Sequence, residues 1–128
     1  MPAFLDTNVF GYLLDSGRKE KIALRLAGKQ PHISVQVLNE FVAVCKKCGK
    51  DRETAYQLAD AIANASTVHE ITLSTYRLAQ ALATHYQLSH RDGLIVAAAT
   101  LAQCETLYSE DMQHGQVIGT VKVVNPFK

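Results

Sequence analysis

At 128 residues, 48% hydrophobic and 20% charged, the chain reads as one globular domain, 1–128, long enough to bury about two-thirds of its unfolded surface without a disulfide or metal staple. A formal net charge of +1 excludes an overall field drawing it to nucleic acid or an anionic membrane, so any such contact rests on a local patch. Three cysteines form no disulfide framework and point to reduced thiols in the cytoplasm, while Asp6 interrupts the place where a secretory apolar segment would build and the longest uncharged run, Gly93 to Cys104, is too short to cross a bilayer.

Short apolar runs alternate with longer helical patterns, which predicts an α/β fold with a mainly parallel central sheet of about four or five strands, flanked by helices on both faces. Ala3–Leu5 reads as the first strand. Two helices follow around the turn at Asp15-Ser16-Gly17. His32–Ser34 is a brief second strand, with Ser34 as N-cap of the helix VQVLNEFVAVCKKC. Gly49 closes that helix and Asp51 opens another, through Ala63. Val68–Ile71 is the third strand, Ser74 caps a helix to about Gln87, and Ser89 caps the next, RDGLIVAAATLAQ. Thr106–Ser109 and Val121–Asn125 are the remaining strands.

Acids fall at the informative places. Asp6 follows strand one, and Glu110 and Asp111 follow strand four, the edge where parallel sheets bind ligands. Asp6 also fits a helix N-cap, and the neighbouring Thr7 and Asn8 can orient a carboxylate or a bound water. Glu40 lies mid-helix with Val37 and Val44 on its own face; it must either turn to solvent, pair with Lys47, or hold a cation. Asp92 fits a capping box with Ser89, yet the helix behind it is apolar nearly all round and must be deeply buried. Cys45 and Cys48 form a CKKC without two further zinc ligands at suitable spacing, and read as ordinary helix thiols.

LDTNVF, SVQVLNEF, LSHRDGLIVAAA and TLYSEDMQHGQ together resemble the PIN-domain family, above all the VapC-type ribonuclease toxins of toxin–antitoxin pairs. The likeness runs from about Phe4 to Phe127. It implies a metal set of Asp6, Glu40, Asp92 and Asp111, with Thr7, Asn8 and Ser109 in support and Glu110 either alternating with Asp111 or facing solvent. It departs from many relatives at His90, Arg91 and Gly93, around the third acid.

Two carboxylates about 4 Å apart repel by roughly 4 kcal/mol at an effective dielectric near 20, so four in one cleft require protons or a cation. All-oxygen donors suit Mg²⁺, with Mn²⁺ able to substitute. The resemblance then implies a metal-dependent endoribonuclease that hydrolyses RNA with metal-activated water, leaving a 5′-phosphate and a 3′-hydroxyl. It also implies a cognate antitoxin and a homodimer; Val9, Phe10, Tyr12 and Leu13 are candidate contact residues, though core packing is the commoner fate of such side chains. Arg91, His90, Lys46 and Lys47, with Lys50 and Arg52 beyond, are candidate RNA contacts; the lysine cluster reads by default as a solvated surface, and Arg91, beside the third acid, is the favoured contact. Rival readings are a receiver-type Mg²⁺-dependent signalling domain, an aspartyl phosphatase, and an inactive PIN-like adaptor that binds RNA or protein. The first lacks paired acids after strand one and a Lys before the late Pro126. The second lacks its second acid, since Asn8 stands there.

Overall fold

The computed structural model describes residues 2–128. Six strands, β1 (Ala3–Leu5), β2 (His32–Ser34), β3 (Thr67–His69), β4 (Thr106–Tyr108), β5 (Val117–Ile118) and β6 (Val121–Val124), form one sheet in the order β3-β2-β1-β4-β6-β5. All neighbours pair in parallel except β5 with β6. The helices are α1 (Thr7–Gly11), continued by a 3-10 turn at Tyr12–Leu14, α2 (Arg18–Ala27), α3 (Val35–Lys47), α4 (Arg52–Asn64), α5 (Leu73–Tyr86) and α6 (His90–Leu101).

The path of the chain explains where a site can form. From β1 it steps outward to β2 and β3, then returns past β1 to β4. Right-handed crossovers place α1 to α4 on one face of the sheet and α5 with α6 on the other; α1 packs on α3, α3 on α4, and α5 on α6. Between β1 and β4 the connections depart in opposite directions, which opens a crevice beyond their carboxyl ends. Asp6 follows one strand and Ser109 to Asp111 follow the other.

The core is continuous. Phe4, Ile33, Leu107, Val121 and Val123 from the strands meet Val9, Phe10, Val37, Phe41, Ile95 and Val96 from the helices, all essentially without exposure. Helix α6 is buried over Gly93 and Ile95–Ala99, as its all-round apolar sequence predicts. Val9 and Phe10 belong to this core, so they are not available as dimer contacts; Tyr12 and Leu13 are half-buried against it.

Several local expectations shift. The sheet has six strands rather than four or five, because Val117-Ile118 turns through Gly119-Thr120 into β6, with Gly119 at φ 62°. The third strand is Thr67–His69 rather than Val68–Ile71. Thr72, not Ser74, caps α5, in a reciprocal pair with Thr75: Thr75 N donates to Thr72 Oγ1 at 3.3 Å and Thr72 N to Thr75 Oγ1 at 3.2 Å. Ser34 sits at the N-cap of α3 without bonding through its hydroxyl, which is buried and unpartnered. Asp51 does cap α4, accepting from Thr54 N at 2.9 Å.

Gly93 is demanded by packing. A Cβ there would stand 2.9 Å from the Ala79 carbonyl oxygen and 3.1 Å from Ala83 Cβ, so α5 and α6 approach backbone to side chain. Gly93→Ala gains about 1 kcal/mol of helix propensity but forces the two helices apart, an overpacking penalty of about 1–3 kcal/mol. A net loss of stability is expected, read as a lower melting temperature than wild type; an unchanged or higher one contradicts the close approach.

Candidate active site

Strand β1 delivers Asp6 to the crevice. Its backbone N–H donates to the Tyr108 carbonyl at 3.0 Å, continuing the β1–β4 pairing by one step. The side chain is fully buried and caps α1, accepting from Thr7 N at 2.7 Å. It also accepts from Ser109 Oγ at 2.8 Å and Asn8 Nδ2 at 3.2 Å. The cap and the acidic site are thus one group.

Asn8 ties in the end of β4. Its Nδ2 stands 3.2 Å from Asp111 Oδ2 and 3.3 Å from Ser109 Oγ, and its Oδ1 accepts from Glu110 N at 3.0 Å. Asp111 itself is exposed at the cleft.

Glu40 reaches the same cleft from the middle of α3. Oε1 accepts from Thr7 Oγ1 at 2.6 Å, and Oε2 from Gln36 Nε2 at 3.2 Å, one helical turn earlier. Its principal partner is Arg91 rather than Lys47, which lies further along on the cleft wall. Burial pushes the Glu40 carboxyl up, but the hydrogen bonds from Arg91, Thr7 and Gln36 outweigh it and hold Glu40 below the usual carboxylate range.

Helix α6 supplies the remaining pieces in its first turn. Ser89 Oγ accepts from Asp92 N at 3.1 Å, fixing the helix start, while the Asp92 carboxylate accepts from Arg91 Nη1 at 3.1 Å. Arg91 turns inward. Nη2 donates to Asp6 Oδ1 at 2.7 Å and Glu40 Oε1 at 2.6 Å, Nη1 to Asp6 Oδ2 at 3.1 Å, and Nε to Glu40 Oε2 at 3.1 Å. Gln36 Nε2 holds the Arg91 carbonyl at 3.3 Å, joining α3 to α6. Burial alone would lower the guanidinium's pKa; the hydrogen bonds with Asp6 and Glu40 raise it well above its ordinary value. Arg91 thus links Asp6, Glu40 and Asp92, and Asn8 links Asp6 to Asp111; Glu40, Asp92 and Asp111 line a cleft of about 610 Å³ whose lining does not include the buried Asp6, and among the described residues no three acids stand close enough together to hold a metal ion.

Glu110 is turned elsewhere. It accepts from Lys19 Nζ at 2.7 Å and Tyr12 Oη at 2.5 Å, beside a separate cavity of about 380 Å³. Those two bonds, Lys19 first, hold its carboxyl below the usual range, and the Tyr12 phenol rises in turn against Glu110. Of the basic candidates, Lys47 lines the acidic cleft and Lys46 is exposed outside its lining. His90 is exposed with its ring edge-to-face on Tyr76. Cys45, Cys48 and Cys104 are free thiols. Sequence reasoning missed the inward course of Arg91 and the parts of Gln36, Lys19 and Tyr12; only the position of Arg91 beside Asp92 gave a signal.

The PIN domain sequence profile matches residues 3–118. The chain belongs to the PIN domain family. Similar solved structures align along most of its length. One from a toxin–antitoxin complex of Klebsiella pneumoniae is 29% identical, covers 97% of each chain and superposes with a TM-score of 0.73. VapBC2 of Rickettsia felis, solved with a promoter DNA fragment, is 19% identical with a TM-score of 0.71, covering 96% of this chain and 97% of that one. Mycobacterium tuberculosis VapC20, described as a Sarcin-Ricin loop cleaving toxin, is 23% identical with a TM-score of 0.67 over 85% and 89% of the two chains. The search of curated proteins returned no match. Among the described residues no helix is long and apolar enough to cross a membrane.

Two outcomes follow from these partners. Because Glu40 and Glu110 titrate lower folded than unfolded, the unfolded chain binds more protons just below the ordinary value of 4.5; their stabilisation is present above that pH and lost as pH falls through the depressed values. Stability measured by urea unfolding should therefore decline below about pH 4.5, less steeply in Glu40→Gln. Glu110→Gln should shift stability little, as the Lys19 side chain is partly exposed, and should leave Mn²⁺ affinity unchanged; a loss of that affinity would return Glu110 to the acidic cleft.

Proposed function

We propose that this PIN domain is a Mg²⁺-dependent endoribonuclease, Mn²⁺ substituting, and the toxin of a toxin–antitoxin pair acting in the cytoplasm. One observation carries the reading: four carboxylates from β1, α3, α6 and the end of β4 are tied together through Arg91 and Asn8 at the switch point of the sheet. The likeness to the Klebsiella pneumoniae toxin–antitoxin complex and to a Sarcin-Ricin loop cleaving toxin supports the same direction.

The donor set fits the ion by its chemistry. Asp6, Glu40, Asp92 and Asp111 offer only oxygen, as Mg²⁺ and Mn²⁺ prefer, and these residues would hold it. When bound, the cation lowers the pKa of water and neutralises charge growing on the scissile phosphate. Ser109 and Asn8 fix the Asp6 carboxylate, and Asn8 also reaches Asp111. Thr7 and Gln36 orient Glu40, which is ionised at neutral pH and suited to accept a hydrogen bond from attacking water. Lys47 on the cleft wall meets substrate phosphate, with Lys46 and His90 on flanking surface. The cognate antitoxin would cover this cleft, and the chain would act as a homodimer.

Asp6→Asn preserves shape while removing the central charge. RNA cleavage by purified, inhibitor-free protein should fall by on the order of a hundredfold or more, as expected for losing several kcal/mol of metal stabilisation, with weaker Mn²⁺ binding and a cooperative melt retained. Incubating total RNA with Mg²⁺ or Mn²⁺ and mapping the new ends reads both chemistry and target. Full activity in excess EDTA, or no cleavage of any RNA class despite metal binding, would overturn the nuclease reading; the latter leaves the binding adaptor.

A further inference from the structure

We infer that Arg91 is the cleft's own countercation: in the metal-free chain its guanidinium takes the place of the divalent ion, and loading requires the side chain to leave the acids. This inference rests on the proposed metal site and adds a step to it. Its basis is the count of hydrogen-bonding positions. Arg91 has five N–H donors, and its contacts with Asp6, Glu40, Asp92 and Thr7 use every one of its three nitrogens.

Two of the four acids, Asp6 and Glu40, are equally filled. A carboxylate offers about four lone-pair positions. Glu40 meets Thr7, Gln36 and two nitrogens of Arg91. Asp6 meets Thr7 N, Asn8, Ser109 and two nitrogens of Arg91, with no exposure to solvent. Charge alone would admit Arg91 and a divalent ion together, since one guanidinium cannot neutralise four acids. Free oxygen positions on Asp6 and Glu40 would not. For Asp6 or Glu40 to ligate, the bonds to Arg91 are the ones that can be given up without breaking β1, α1 or α3.

Arg91 has a way out. Its side chain is one-third exposed, against none for Asp6, and it springs from the first turn of α6, at the rim of the cleft. It cannot leave by losing its proton, because a guanidinium remains charged in proteins. It must move as a cation, and a cation must replace it.

The test compares wild type, Arg91→Ala and Arg91→Lys, each as the full inhibitor-free chain, by calorimetric Mn²⁺ titration and by melting in EDTA and in saturating Mn²⁺. If the open cleft is a minor population in wild type, removing the competitor raises apparent affinity by the reciprocal of that population, about tenfold or more. Arg91→Ala should bind Mn²⁺ tighter by that factor, melt lower than wild type in EDTA, and lose most of that difference in Mn²⁺. Arg91→Lys, with charge but no fork, should fall between. If Arg91→Ala does not fold in EDTA, folding restored by Mn²⁺ supports the inference and Arg91→Lys carries the affinity comparison. Equal or weaker Mn²⁺ binding by the folded variants overturns the inference and leaves the metal site standing; no Mn²⁺ binding by any of the three overturns both.

Discussion

A carboxylate with no access to water sits at the junction of β1 and β4, and the surrounding architecture answers to it. An isolated buried charge costs far more than a domain of this size has in reserve. Asp6 is tolerable because donors reach it from four positions in the chain: Thr7 and Asn8 from the start of α1, Ser109 from the end of β4, and Arg91 from the start of α6. Those segments converge only when the sheet has its crossing order, with β1 beside β4. The helix cap, the sheet junction and the acidic cleft are one arrangement seen from three sides.

Arg91 gives the cleft its second organising element. It joins Asp6, Glu40 and Asp92, while Asn8 joins Asp6 to Asp111, so the acids are linked through neighbours that themselves belong to the motifs. A pocket built this way stays assembled before any divalent ion arrives. In the proposed enzyme the tightness of metal binding then reflects a contest between two positive partners as much as the number of oxygens on offer.

Much of this was legible in the sequence because each acid carried a local signature. Asp6 stood behind a short apolar strand, Glu40 interrupted the apolar face of a helix, Asp92 followed a Ser cap, and Asp111 followed the last Ser of a strand. Their meeting agrees with the resemblance to the PIN domain family. What stayed hidden was decided by tertiary contact. Residues 91 and 92 point about 100° apart around a helix, and a long side chain such as that of Arg91 can cover either direction. Glu110 and Asp111 are adjacent acids, and only Lys19 and Tyr12 show which one is diverted. Thr72 and Ser74 are both good caps two residues apart, and the choice fell to the partner Thr75. Strand β5 has two residues, too few for periodicity to register, although Gly119-Thr120 between two β-branched runs was a turn signal.

The sheet ends at β3 on one margin and β5 on the other, with three and two residues respectively. Unpaired backbone along a long outer strand invites chains to extend a sheet from molecule to molecule, the route to fibrils and insoluble aggregates. Margins this brief give such growth almost no template. Any protein that associates with this one must recognise its side chains and contours, because there is too little free ribbon for it to continue.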